Sequence, residues 1–335
     1  MSARGRPWVW WLVVALLAGV LPAAVLTLRR GADAHGSGSS VPPPAEGWFR
    51  TLPAGAWSSL PDDRACAGRT HRSQWEPRPG NRSPNHHVPD PASVRAAFAA
   101  RPRSSEGAVD PRWDSWLLPR VSGQHVGTTD ENIQWAACKW GLSDNLLRAI
   151  AFRESNWWQG EVYSSGRCVE QNGCGDVLTE STVATRQFCD GLAEHGVDYQ
   201  RWYGVGRCPR TFSLVGVMSW QAPDWGPMPD NQNGTFPFNR DSTAFARDYL
   251  GAFLRGCDEG WARWLVPPES RGNAGSTERL WGCVGAWYAG AWRTPEARQY
   301  IDLVRTAMDD RPWLDHDWAG QRPPCTDHGC PRGMP

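Results

Sequence analysis

The sequence predicts a mainly α-helical fold with disulfide-stabilised loops. Three observations lead there. Apolar residues recur at helical spacing in several stretches between positions 113 and 308. No stretch alternates apolar and polar residues over a useful length, and no internal repeat is present. All 10 cysteines follow an apolar N-terminal run, so disulfides are the expected state.

In chain order, Arg4 and Arg6 precede an apolar run over 8–28, and Arg29-Arg30 close it. The run is about long enough to span a bilayer, and Ala32-Asp33-Ala34 offers a cleavage pattern. Residues 1–34 are therefore expected to be a signal peptide or a signal anchor. Either places the rest of the chain outside the cytoplasm, with a membrane partner if the segment is kept. Residues 35–109 are rich in Gly, Ser, Pro and Arg and are expected to be a linker with little packed core. One short helix is expected within it, over 91–100.

The helical domain is expected over 110–310. Thr128-Thr129-Asp130-Glu131 reads as a capping box, and Gly141 ends the helix behind it. Ser143 then caps the next helix, with Leu142 as a hydrophobic staple. A Gly- and Cys-rich loop over 160–176 precedes a helix over 181–203, and residues 204–240 read as irregular. Asp241 is placed as the cap of a helix over 242–254, followed by a short helix over 278–288. Thr294-Pro295-Glu296 opens the last helix, to about 308, and the Pro-rich residues 311–335 read as a flexible tail. Proximity in sequence suggests the pairs Cys168–Cys174, Cys189–Cys208, Cys257–Cys283 and Cys325–Cys330, leaving Cys66 for Cys138.

Composition excludes some functions and favours one class of partner. The formal net charge is zero, so nothing marks a nucleic-acid partner; the basic residues are almost all Arg, Lys139 being the one Lys, a skew that says little about function. His86-His87 and the trio Cys325, His328 and Cys330 lie in Pro-rich surroundings, and no metal or other cofactor is expected. The Gly-x-Ser-x-Gly signature of many serine hydrolases is absent. The chain holds 22 Trp; many must fill the core, but flat indole faces also stack on sugar rings.

Leu146, Leu147, Ile150 and Ala151 form one stripe of a helix, and Glu154 is next in that series. A carboxyl group is thus aimed along the buried face, close to the helix C-terminus. Burial and the negative helix end both raise a carboxyl pKa, as a general acid for glycosidic bonds requires. The competing reading is a core-edge Glu paired with Arg153 or Arg148.

Four segments carry a resemblance. Ala149-Ile150-Ala151-Phe152-Arg153-Glu154-Ser155, Gly216-Val217-Met218, Asn239-Arg240-Asp241 leading to Tyr249-Leu250, and Ala286-Trp287-Tyr288-Ala289-Gly290 occur in this order. Together they resemble the motifs of the lysozyme-like soluble lytic transglycosylases, which are similar to goose-type lysozyme; Tyr300 and Val304 fit the following helix. The resemblance covers roughly 125–308. It implies a lysozyme-like helical domain that cleaves the bond between N-acetylmuramic acid and N-acetylglucosamine in peptidoglycan. Glu154 would be the sole acid, then base, and the 6-hydroxyl of muramic acid would attack to give a 1,6-anhydro product. Ser155 would orient Glu154 or bind sugar, Met218 would line the cleft, and Tyr288 would place a hydroxyl near Glu154.

The chain departs from those motifs in two places. Ser219 stands where the family has Gln, with Gln221 two positions on as a substitute, and Ala289 stands where it has Asn. Ser219 and Gln221 are taken as substrate-binding candidates. If water attacks instead, the protein is a muramidase, and an inverting scheme needs a second acid; Asp176, Asp224 and Asp230 are candidates. A wall-binding protein with an inactive cleft is the alternative from another class.

Overall fold

Residues 42–101 pack as part of the folded body, not as a spacer. The computed structural model describes residues 42–101, 107–159, 176–194, 199, 203–219, 233–271 and 277–318. The apolar run over 8–28 and the cysteine pairs 168–174 and 325–330 lie outside these. Three short helices, α1 (Asp63–Ala67), α2 (Arg82–His86) and α3 (Pro91–Ala100), occupy the stretch expected to be a linker. Leu60, Cys66, Trp75 and Val94 from this stretch are buried in the main core. Cys66 is bonded to Cys138, as elimination suggested. The linker expectation for 42–101 is therefore corrected. Its apolar anchors are isolated residues without a period, so composition dominates the local signal while the fold buries each anchor singly.

The main body is built from helices whose ends follow their caps. Helix α4 (Thr129–Trp140) starts at the expected capping box, with Thr128 and Glu131 reciprocally bonded, and stops at Gly141 in the left-handed region. After one tight turn, Ser143 caps α5 (Asp144–Ser155). The helix α6 (Val183–Glu194) fills the described part of the stretch expected to be helical from residue 183 on, and Tyr199 and Tyr203 further on are helical as well. Ser242, not Asp241, caps α7 (Thr243–Asp258): its hydroxyl accepts the Phe245 N–H, while Asp241 ends a single turn and pairs with Arg240. Helices α8 (Thr277–Ala289) and α9 (Pro295–Asp310) follow, α9 beginning at the Thr294 cap. α4 packs against α5 and α7, and α9 against α5 and α8. Cys257–Cys283 ties α7 to α8.

A small lobe joins this body. Strands β1 (Val177–Thr179) and β2 (Arg207–Pro209) pair antiparallel, with Leu178 opposite Cys208. β3 (Thr211–Phe212) and β4 (Val217–Met218) form a hairpin, with Thr211 opposite Met218. At two or three residues, these strands are too short to show an alternating pattern. The lobe has its own core of Leu178, Phe188, Leu192, Tyr203, Phe212 and Phe236, braced by Cys189–Cys208. The fold is mainly α and disulfide-braced.

The main body also buries charge. Lys139 lies 2.7 Å from Asp248 and 2.5 Å from Asp63. Arg148 lies 2.7 Å from Asp130 and 2.8 Å from Asp144. Asp144 also accepts the Trp48 and Phe49 N–H groups, at 2.8 and 3.1 Å. The N-terminal stretch is thereby bonded to the start of α5. Residues 311–318, placed in the loose tail, are likewise packed: Trp313 and Trp318 are buried. Among the described residues no helix is long and apolar enough to cross a membrane.

Candidate functional site

Glu154 sits in the last turn of α5. Leu146, Leu147, Ile150 and Ala151 are buried along one stripe, as the period requires, and Glu154 emerges half-buried at its end. The helix stops there because Asn156 takes the left-handed conformation, φ 53°. The Trp157 N–H then bonds back to the Ala151 carbonyl at 3.2 Å, and the Trp157 indole N–H reaches the Arg148 carbonyl at 3.0 Å. These bonds hold the chain just beyond Glu154.

Two other segments meet the carboxyl. Tyr300, buried on α9, donates its hydroxyl to Oε1 of Glu154. On the other side lies the turn 213–216 of the β3–β4 hairpin. A methyl group on Gly216 would come within 3.0 Å of Oε2, and Gly216 has φ +63°. A glycine here thus serves both the turn and the close approach of the carboxyl. The turn is tied to its surroundings: the Ser155 hydroxyl donates to the Leu214 carbonyl at 2.9 Å, and the Trp287 indole N–H to the Val215 carbonyl at 3.0 Å.

This enclosure sets the acidity. Burial pushes Glu154 up to about 7; the Tyr300 hydrogen bond pulls the other way, Asp176's charge adds to the rise and Arg153 opposes it. Burial also raises Tyr300 well above its ordinary value, so it stays a neutral donor. The competing reading of Glu154 as an ion-paired core-edge residue does not hold. Arg148 is committed to Asp130 and Asp144, and Arg153 points to solvent. A carboxyl with partial solvent access that exchanges its proton near neutrality can act as acid and as base at one pH.

The remaining candidates divide. Tyr288 is 60% exposed and stacks on Tyr300, rings parallel within 2° and centroids 4.7 Å apart. The hydroxyl bonded to Glu154 is Tyr300's, with Tyr288 stacked on that ring. Ser155 is buried and spends its hydroxyl on Leu214, so it fixes the hairpin turn and is closed to sugar. Ser219 is fully buried and accepts the Asn239 side-chain N–H at 2.9 Å, so it is structural too. Met218 is half-buried on β4. Asp176 is partly exposed, its carboxylate 3.4 Å from Arg210. Gln221, Asp224 and Asp230 lie outside the described residues.

Tyr300 fits the helix that follows the motifs, but the motifs assign it no role at the site. Its signal was present: it lies on the buried stripe of α9 with Ala297, Ile301 and Val304, a phenol among apolar side chains. Among the described residues no group of three His, Cys, Asp or Glu side chains is arranged to hold a metal ion. No protein-family model, curated protein or solved structure matches the chain.

Proposed function

We propose that this protein cleaves the β-1,4 bond between N-acetylmuramic acid and N-acetylglucosamine in peptidoglycan, using Glu154 as general acid and then base in a lysozyme-like helical domain. The observation that carries the proposal is a half-buried carboxyl raised to about 7 at the junction of two lobes. At neutral pH about half of such groups are protonated, ready to donate to the bridging oxygen as the bond breaks. Once ionised, the carboxylate keeps Tyr300's hydrogen bond and takes the proton of the attacking hydroxyl. Attack by the 6-hydroxyl of the same muramic acid gives the 1,6-anhydro product. Tyr288 offers an exposed ring beside the acid for a sugar to stack on, and Met218 adds to the wall. The disulfides fit an oxidising, extracytoplasmic setting where that polymer is found.

Asp176 favours a second reading. It is partly exposed, and its charge is felt at Glu154, which makes it the candidate base for activating water. The protein is then a muramidase. Mass spectrometry of digested peptidoglycan separates the two: 1,6-anhydro-muramic acid marks the transglycosylase, reducing ends the hydrolase. Glu154→Gln is expected to lower cleavage by at least about 10²-fold while the fold and glycan binding persist. Wild-type protein that is folded and retained on the polymer, yet releases no fragments, makes it a binding protein.

A further inference from the structure

The loop beyond Glu154 is joined to the N-terminal stretch through Asn81 and Arg78, and its buried Gln159 carries that tie on to the hairpin turn. The Gln159 backbone N–H donates to Oδ1 of Asn81 at 2.9 Å, and its Oε1 accepts the Leu214 N–H at 3.2 Å. Its Nε2 donates to the Asn239 and Arg240 carbonyls at 3.0 and 3.2 Å. Asn81, fully buried, also donates to the Trp157 carbonyl at 2.6 Å and to the Thr129 hydroxyl at 3.0 Å. Arg78 adds a parallel tie, donating to the Asn156 carbonyl at 2.9 Å, and the Trp318 indole N–H holds the Asn156 side chain at 2.5 Å.

We propose that Gln159, seated by Asn81, is a positioning residue for Glu154: it fixes the hairpin turn 213–216 against which the carboxyl lies. Leu214 is gripped at both its polar atoms, by Ser155 through the carbonyl and by Gln159 through the N–H. Two residues on, Gly216 closes over Oε2. With the grip of Gln159 removed, the turn can lift and admit water to the carboxyl. Stretch 42–101 then contributes to catalysis through Asn81, although none of its side chains need touch the glycan. The charged and titratable groups acting on Glu154 are Tyr300, Asp176 and Arg153, with Tyr288 behind Tyr300; none of them is altered by substituting Gln159 or Asn81.

The inference rests on Glu154 being the acid proposed above, and its test is readable without activity. Gln159→Met keeps the bulk and removes the side-chain hydrogen bonds to Leu214, Asn239 and Arg240; Asn81→Ala removes the acceptor of the Gln159 backbone N–H and so unseats Gln159. The Glu154 carboxyl is titrated by ¹³C NMR in each full-length protein, and cleavage is followed against pH. Water entering beside the carboxyl favours its charged form, so the Glu154 midpoint is expected to fall by about one unit from about 7. The alkaline limb of activity moves down with it, and kcat drops on the order of tenfold or more with KM within about threefold. Thr128→Ala, which removes only the α4 cap, serves as the control for lost stability and leaves the midpoint in place. An unchanged midpoint in a folded Gln159→Met protein overturns the inference, as does failure of both variants to fold, since the role is then global stability. If wild-type protein does not cleave the polymer, the proposed function falls while the NMR midpoint still decides this one.

Discussion

The raised pKa of Glu154 is maintained at a cost in stability. Its folded-state pKa is raised to about 7 from an ordinary 4.5. Between those values the folded chain binds a proton that the unfolded chain has released, so this group's contribution to stability falls as pH rises through that window. Above pH 7 the loss is on the order of 2–3 kcal/mol, allowing for partial solvent access. Glu154→Gln, which does not titrate, is therefore expected to melt above wild type at pH 8 and close to it at pH 4; Tm against pH for the two proteins checks this. Tyr300→Phe has a different signature. The phenol stabilises the carboxylate, so its removal raises the Glu154 pKa further, shifting the alkaline limb of activity to higher pH. For the proposed cleavage, kcat is expected to fall about tenfold or more, because the carboxylate that Glu154 would form on donating its proton loses its charge-assisted hydrogen bond. A pH–rate profile that keeps its limb in Tyr300→Phe removes Tyr300 from the acid's environment.

Among the helices and strands, local signals were reliable where they were local in cause. Thr128, Ser143 and Thr294 each cap the helix the sequence assigned to them, since a cap bond spans only three residues. Asp241 was misplaced by one position because Ser242 is also a good cap, and a pairing with Arg240 draws Asp241 away. The disulfides link pieces that have no local reason to stay together. Cys66–Cys138 closes 72 residues of chain and ties α1 to α4. Replacing both by Ser is expected to cost about 4 kcal/mol in denaturant titrations, if the constraint acts chiefly on the unfolded chain. Limited proteolysis of that variant should cut first within 42–101.

For the molecule as a whole, the larger core supplies both Tyr300 and the buried residues of the turn beside Glu154, and a buried charge network holds that core in register. The sole Lys is at its centre: Lys139 is 1% exposed between Asp248 and Asp63. Asp248 also takes the Trp140 indole N–H at 2.7 Å and the Ser122 and Gly123 N–H groups, which carry the 121–126 segment onto α7. Lys139→Met leaves Asp248 charged and buried without its cation. The expected loss is about 3–5 kcal/mol, read as a lower urea midpoint. A loss under about 1 kcal/mol shows that the backbone N–H groups alone satisfy Asp248.

Much of the candidate site was legible from residue order. The helix period placed Glu154 at the end of a buried stripe, and the capping motifs bounded its helix, because both signals are carried by neighbours within a few positions. Three cysteine pairs followed sequence proximity and elimination. Other assignments needed the packed chain. Tyr288 and Tyr300 both lie on helices close to the acid, and only the docking of α9 on α5 shows whose hydroxyl meets Glu154. Ser219 reads as a free polar group until Asn239 and Thr235 are seen around it. Asn81 and Trp75 sit in a Pro- and Arg-rich stretch whose composition resembles a linker. Their burial and that of Arg78 depend on surfaces supplied by α4, by the loop after α5 and by Trp318, which lies 240 residues from Arg78. Contacts of that separation leave no periodic trace in the segment that makes them, so they emerge only when the chain is folded.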